Sequence, residues 1–368
     1  MYKCTFKHNI FALIIELPMK FLKTRNVLDI IAGILTFFSF VFALLSSISP
    51  FIHPANFKIG LFASILLPFT LLFSILILVY WLIRKEWLFL LPLISIVINS
   101  GFLISTFQFR SEPKFSIYEE NETLKIISYN VHEFMHNNSQ LSIGRVREFV
   151  SNENADIICF QEFDASNQLH INELKNYFDD YPYYAISESN NENIGMAIFS
   201  RYQIINWRKI NFENTGNGYL WADIKIAKRL SVRVINVHLQ TTSLGQQNLA
   251  EISRLKKFIS NSSIRALQSE SVSNLIDTTS HSIIVCGDFN DSPSSYTYEK
   301  IKGKSLIDGF REAGYGLGGT FNGFKGIGKL YRIDYIFHSR DFLSIKYTTP
   351  HINISDHFPV ISELVYQN

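Results

Sequence analysis

Residues 281–293 read HSIIVCGDFNDSP. Residues 282–286 form a short apolar run rich in β-branched side chains, the pattern of a buried strand. Gly287 is expected to end the run. Asp288, Asn290 and Asp291 follow before Pro293 rules out further regular structure. A strand that empties into carboxylates and an amide places polar chemistry at its carboxyl edge. Asp and Asn are also ordinary turn residues, so the stretch alone reads equally well as an Asx-rich turn. Its neighbours decide the matter.

Working outward, the same texture recurs from residue 123 onward. Residues 123–129 (TLKIISY) read as a strand ending in Asn130, Val131 and His132, and residues 155–160 (ADIICF) as one ending in Gln161 and Glu162. Residues 195–200 (GMAIFS) form another, ahead of Arg201. Residues 220–226 and 230–237 read as a hairpin whose second strand stops at His238. Residues 332–338 (RIDYIFH) carry Asp334, and Asp356 and His357 precede a last strand over 358–365. Residues 144–152 are amphipathic and helical. Residues 249–276 form a longer helical region with an expected break around 260–263. The glycines of 314–328 form no dinucleotide fingerprint, because no strand leads into them.

Each polar strand end has an ordinary explanation. Asn130 can cap a helix, Glu162 can lie on a surface, and His238 can be a satisfied core histidine. Asn130, Glu162, His238, Asp288 with Asn290, Asp334, and Asp356 with His357 make six such ends in one chain. The carboxyl ends of strands are where α/β sheets form their ligand crevice. Carboxylates and an amide without a thiolate make a hard oxygen site suited to Mg²⁺, with Mn²⁺ as the alternative. Imidazoles beside carboxylates serve proton transfer or stabilise a phosphoryl oxygen. No nucleophile elbow, P-loop or H-E-x-x-H is present. The set therefore fits metal-assisted hydrolysis of a phosphate ester by water.

The front of the chain differs. Residues 1–113 hold nine Lys and Arg against four Asp and Glu, leaving 25 against 28 of the totals of 34 and 32 for the remainder. The mildly acidic remainder exerts no global pull on nucleic acid. Residues 27–48, 59–83 and 87–109 are each long and apolar enough to span a bilayer as a helix, with Asp29 as their one charge and Pro68 and Pro92 inside the second and third. Three such segments do not fit a cleaved signal peptide. Lys20, Lys23, Arg25, Arg84 and Lys85 flank one side, against Lys58, Arg110 and Lys114 on the other. That asymmetry places the N-terminus in the cytoplasm and the domain after residue 110 on the extracytoplasmic side. Residues 10–21 read as an interfacial helix, and residues 111–122 as a linker between a 1–110 membrane anchor and a 123–368 domain. Cys159 and Cys286 lie in apolar strands and read as buried free thiols, while Cys4 lies ahead of the first span.

The ordered stretches ISYNVHEF (127–134), CFQEFD (159–164), GMAIFSRY (195–202), INVHLQTT (235–242), VCGDFNDSP (285–293), YRIDYIFHS (331–339) and ISDHFPV (354–360) resemble one known family. This is the endonuclease/exonuclease/phosphatase superfamily of deoxyribonuclease-I-like nucleases, abasic-site endonucleases, neutral sphingomyelinases and inositol polyphosphate 5-phosphatases. The resemblance implies a four-layer α/β sandwich, two mixed β-sheets packed face to face with helices outside. It implies that Glu162 is the main metal ligand, supported by Asn130 and, directly or through water, Asp356. It implies that Asp288 accepts or orients the proton of the attacking water and that Asn290 positions the phosphate. His238 and His357 would contact phosphate oxygens, with His357 held by Asp334. The abasic-site enzymes carry an Asp where this chain has His132 and a Tyr where it has His238, so a repair role is not implied.

The expected protein is thus a membrane-anchored Mg²⁺-dependent phosphodiesterase or phosphatase, and a lipid-linked phosphate ester suits its anchor and acidic domain. An extracytoplasmic nuclease acting on nucleic acid is the alternative. A non-catalytic tethered binding module is disfavoured by the filled site, and a transporter by the lack of intramembrane charge beyond Asp29. Nothing in the sequence identifies a protein partner.

Overall fold

The computed structural model describes residues 26–109, 123–136, 140–164, 171–189, 194–228, 230–243, 251–323 and 330–367. The expectations for residues 10–21, Lys20, Lys23, Arg25, Arg110, Lys114, the linker 111–122 and Cys4 lie outside the described residues. The chain forms two compact units. Among the described residues, one takes in 26–47 with Ile65–Ser100, the other Ile48–Ser64 with those from Gly101 to 367.

The apolar helices are α1 (Val27–Ile48), α2 (Lys58–Ile83), α3 (Leu90–Ile98) and α4 (Ser100–Thr106). Two helices are long and apolar enough to cross a membrane, or three when the last pair counts as one span bent by 54°. The third expected span is therefore broken rather than straight. Asn99 sits at the break, and its amide donates to Ser95 O at 3.0 Å and to Ala43 O at 3.1 Å. In the first unit polarity runs opposite to that of a water-soluble bundle. Asp29, Thr36, Ser39, Ser74 and Ser95 are buried, while Phe37, Phe38, Leu72, Leu76 and Val79 are exposed. Apolar side chains lose nothing by facing hydrocarbon, whereas polar ones need a partner there. Ser39 and Ser74 hydroxyls bond at 2.8 Å, Trp81 Nε1 donates to Thr36 Oγ1 at 2.8 Å, and Arg84 donates twice to Asp29 at 2.9 and 2.7 Å.

Among the described residues, the second unit holds two small two-stranded sheets and two six-stranded ones, whose twelve strands build its core. In chain order they are β1 (Thr123–Asn130), β2 (Ile157–Gln161), β3 (Tyr183–Ser187), β4 (Met196–Ser200), β5 (Gln203–Asn211) and β6 (Gly218–Ala227). There follow β7 (Leu230–His238), β8 (Ser282–Asp288), β9 (Leu306–Asp308), β10 (Asp334–Ser339), β11 (Phe342–Thr348) and β12 (Val360–Tyr366). One sheet runs β11-β12-β1-β2-β4-β3, the other β9-β10-β8-β7-β6-β5. Both are mixed, since β1 and β2 are parallel, as are β7 and β8, within otherwise antiparallel ladders. Helix α5 (Ile143–Glu153) covers the first sheet; α6 (Glu251–Thr278) and α7 (Tyr296–Lys302) cover the second.

The period-two alternation of strands builds these layers. Ile126, Cys159, Ile198, Ala222, Val234 and Cys286 point between the sheets. Their neighbours Ile127, Ile158 and Phe199 pack outward with Val146 and Val150 of α5. On the far side Ile235 and Val285 pack with Val272 and Ile276 of α6. Strands buried on both faces read as unbroken apolar runs, which is why 155–160 and 282–286 stand out. The fold is the expected four-layer α/β sandwich. Cys159 and Cys286 are buried and free.

Two local expectations are corrected. Gly287 does not end its strand; β8 continues through Asp288, and Gly287 pairs with both Val237 and Tyr335. Helix α6 is unbroken through 260–263, with Asn261 held by residues outside the helix and Ser262 by a residue one turn along it. Asn261 Nδ2 donates to Thr241 O and Ser243 Oγ at 2.9 and 2.8 Å, and Ser262 Oγ accepts from Arg265 at 3.2 Å.

Candidate active site

The strand register assembles the polar ends. Across the second sheet, Gly218, His238, Asp288 and Asp334 are successive partners on β6, β7, β8 and β10. Across the first, Asn130, Gln161 and Met196 are partners on β1, β2 and β4. The two rows meet at one end of the sandwich. A buried polar clamp joins the sheets there: Gln161 Nε2 donates to Asn236 Oδ1 at 2.7 Å, and Asn236 Nδ2 donates to Phe160 O and Ala197 O at 2.8 and 3.1 Å.

Backbone geometry holds the ends in place. Gly287 has φ +134°, and a Cβ there would lie 1.9 Å from Val237 O, so the strand can carry Asp288 beside His238 only with glycine at this position. Glu162 and Asn290 adopt φ +53°, and His132, Glu133 and Phe134 form a left-handed turn with φ from +48° to +54°. Left-handed non-glycine residues cost on the order of 1 kcal/mol or more each and concentrate where a site needs them.

The side chains converge on one oxygen. Asp288 Oδ2 accepts from Asn130 Nδ2 at 3.1 Å and from Asn290 Nδ2 at 3.0 Å. It also faces His238 Nε2 and His357 Nε2, each at 3.7 Å. Asn290 Nδ2 donates to Leu239 O as well, so this amide braces the carboxylate. The other edge of His357 bonds Asp334, Nδ1 to Oδ2 at 2.9 Å. Across from Asp288, Glu162 accepts from Asn130 Nδ2 at 3.0 Å and faces His238 Nε2 at 3.4 Å. Asp356 sits on the rim, with its Oδ1 3.6 Å from His132 Nδ1. All eight expected site residues thus fall at one end of the sandwich.

These surroundings drive proton affinities apart. Burial pushes the Asp288 carboxyl up to about 8, against the pull of His357. Burial also raises Glu162, but the hydrogen bond from His132 and the charge of His238 outweigh it, and the carboxyl falls to about 2. Burial lowers His238 to about 4. It opposes charge on His357 too, yet the facing carboxylates of Asp334 and Asp288 hold that imidazole well above its ordinary value. Titratable groups pushed in opposite directions within one cluster are a mark of acid–base sites.

The donor chemistry fits a divalent cation. Glu162 Oε2 and Asp356 Oδ1 both face His132 Nδ1, at 3.4 and 3.6 Å, and the bond to Glu162 helps raise that imidazole to about 9. Two carboxylates sharing one cationic neighbour, beside the Asn130 amide, form a hard-oxygen set of the kind Mg²⁺ and Mn²⁺ take. The buried group of Asp288, Asp334 and His357 also places ligand atoms within 4.8 Å of one another and can hold a metal.

Several contributors escape sequence reasoning. Thr320 Oγ1 accepts from Ile333 N and Asp334 N at 3.0 and 3.1 Å, and Ser355 Oγ donates to Asn130 O at 2.8 Å. Only the glycines before Thr320 and the motif around Ser355 hinted at either. His132 was legible only as a departure from the abasic-site pattern.

Residues 127–357 match a family model described as the endonuclease/exonuclease/phosphatase family, and residues 29–106 match one described as a domain of unknown function (DUF8431). No curated protein matches the chain. Among solved structures, an endonuclease/exonuclease/phosphatase from Beutenbergia cavernae is 16% identical, covers 67% of this chain and 72% of its own, and has a TM-score of 0.52. One from Bacteroides vulgatus is 18% identical over 67% of this chain and 99% of its own, with a TM-score of 0.50. TDP2 from C. elegans is 17% identical over 66% and 75%, also at 0.50. At such identities the likeness concerns the fold alone. The family match spans more than half of the chain and contains every site residue from Asn130 to His357, and the chain belongs to the endonuclease/exonuclease/phosphatase family.

Proposed function

We propose that this protein is a membrane-anchored, Mg²⁺-dependent phosphoesterase that hydrolyses a phosphodiester or phosphomonoester by in-line attack of water. Members of its family are phosphoesterase hydrolases that use divalent metals. The observation that carries the proposal is the convergence of Asn130, Asn290, His238 and His357 on Asp288 Oδ2, opposite an ionised Glu162. In this reading Glu162, Asn130 and Asp356 hold the metal. Asp334 is already taken by His357 Nδ1, which favours that set over the buried trio. A bound Mg²⁺ supplies positive charge to phosphoryl oxygens.

The chain's own groups do the rest. A carboxylate whose proton affinity is raised is a stronger base once ionised, so the ionised form of Asp288 takes the proton of the attacking water. His357, kept protonated by Asp334, donates to a phosphoryl oxygen where charge develops. His238, kept neutral by burial, donates through Nε2 from the other side. Asn290 holds Asp288 in place and lies beside the phosphate. The domain assignment goes with this: residues 1–110 as anchor, 111–122 as linker, 123–368 as hydrolase. Flanking charge orients the N-terminus to the cytoplasm and the hydrolase outward. The anchor favours a lipid-linked phosphate ester, and a nucleic-acid substrate is the second reading.

The test is Mg²⁺-dependent hydrolysis of bis-(p-nitrophenyl) phosphate by the detergent-solubilised full chain. Asp288→Asn and His357→Ala should each lower kcat by about 10²–10⁴-fold, the range for a lost acid or base. Undiminished turnover in both variants would overturn the assignment.

A further inference from the structure

Lys209 lies on β5, and its amine has no carboxylate partner among the described residues. Its Nζ rests 2.7 Å from the Met196 thioether. It also lies 3.2 Å from where a Cβ on Gly218 would stand, so the missing side chain of Gly218 makes the room it occupies. Gly218 is the register partner of His238, and Met196 lies in the row of Asn130 and Gln161. The amine therefore closes both rows of the site, at the end remote from Asp334. It is half-buried, and burial lowers it to about 7. A lysine stem across the sheet edge needs no such placement, and a thioether is a poor partner for an ammonium. An amine left without a counter-charge beside phosphate-handling groups calls for an anion.

We propose that Lys209 binds a second anionic group of the substrate, next to the scissile phosphate. Adjacent strands are about 4.8 Å apart, so an amine over Gly218 lies roughly two strand spacings, or ~10 Å, from Asp288. One phosphate cannot touch both. The substrate class is a phosphate ester carrying another phosphate or a carboxylate beside the bond that breaks. This rests on the hydrolase reading for the position of the scissile phosphate, but its test does not depend on turnover.

The test reads Lys209 itself. The full chain in detergent with Mg²⁺ is pulsed with acetic anhydride at pH 6, below the amine's own value, and acetylation of Lys209 is followed by mass spectrometry. Probes are methylphosphonate, with one anionic group, methylenediphosphonate, with two phosphonates, and phosphonoacetate, with a carboxylate as the second. An anion that raises the amine's proton affinity by one unit removes neutral amine about tenfold at this pH. Methylenediphosphonate should slow labelling by about that factor and methylphosphonate by less than about twofold. Slowing by phosphonoacetate assigns a carboxylate-tolerant subsite, and its absence a phosphate-selective one. Equal slowing by the one- and two-phosphonate probes, or by neither, overturns the proposal. An enzyme inactive on bis-(p-nitrophenyl) phosphate that still shows the difference would fail the hydrolase reading alone.

Discussion

Two clusters of buried charge begin two residues apart, at Arg332 and at Asp334, and they are built differently. Arg332 grips Asp308 through both Nη atoms, with Nη1 at 3.0 Å from Oδ1. Asp308 also accepts from Tyr298 OH at 2.7 Å and Phe310 N at 3.1 Å. The guanidinium stacks over Tyr335 and Phe310 at 4.5 and 4.9 Å. Arg332 Nε has no partner among the described residues, but both Asp308 oxygens are taken, so the carboxylate is closed to a ligand. The Asp288 cluster is open. The imidazole Nε2 atoms stand 3.4 to 3.7 Å from the carboxylates they face, His238 Nδ1 has no partner among the described residues, and Glu162 is partly exposed. Burial of charge is common to both, so burial alone does not mark a site. Unspent hydrogen-bonding capacity beside opposed proton affinities does.

The contrast breaks most visibly on substitution. Asp288→Asn should abolish most turnover, yet keep or raise the thermal midpoint, because it replaces a carboxylate costly to bury with a neutral isostere. Arg332→Met should do the reverse. It strands Asp308 in the core and should cost about 3–5 kcal/mol of stability, read from denaturant unfolding. A stable Arg332→Met variant that is catalytically dead would dissolve the distinction between the clusters. A smaller effect sharpens it: Mg²⁺ at about 100 times its dissociation constant stabilises a native site by ~2.7 kcal/mol. That gain should vanish in Glu162→Gln and persist in Asp308→Asn. Loss in both, or in neither, would remove Glu162 from the metal site.

Much of this was legible in the sequence for a physical reason. Strands buried on both faces leave continuous apolar runs, and a site at their ends leaves polar residues in fixed order behind them, as at Asn130, Glu162, His238 and Asp288. What stayed hidden was set by partners distant in the chain. Strand β5, Gln203–Asn211, is mostly exposed on a sheet edge and shows no apolar run, so Lys209 gave no signal. Gly287 read as a stop because its role, letting β8 pass close to Val237, depends on another strand. Asn261 read as part of a helix break because the groups that bond it lie elsewhere. Asn99 is the converse case: apolar content identified the third span, while the bend lies where its amide reaches Ala43.

The finest probe of the two clusters is the residue between them. Thr320 is fully buried, and its hydroxyl accepts from both Ile333 N and Asp334 N, the backbone that separates Arg332 from Asp334. Its carbonyl accepts from Phe358 N, next to His357, at 2.7 Å. Thr320→Val keeps the shape and the carbonyl but removes the acceptor for two buried N–H groups, which should cost about 1–3 kcal/mol. Arg332 stays clamped by Asp308, so the closed cluster should hold. Asp334 loses the bond that fixes its backbone, and with it the alignment of His357. Turnover should therefore fall by more than the unfolded fraction explains, through kcat with KM little changed. If kcat per folded molecule is the same as in the unsubstituted protein, Thr320 serves stability alone and the Asp334–His357 pair is positioned by its own hydrogen bond.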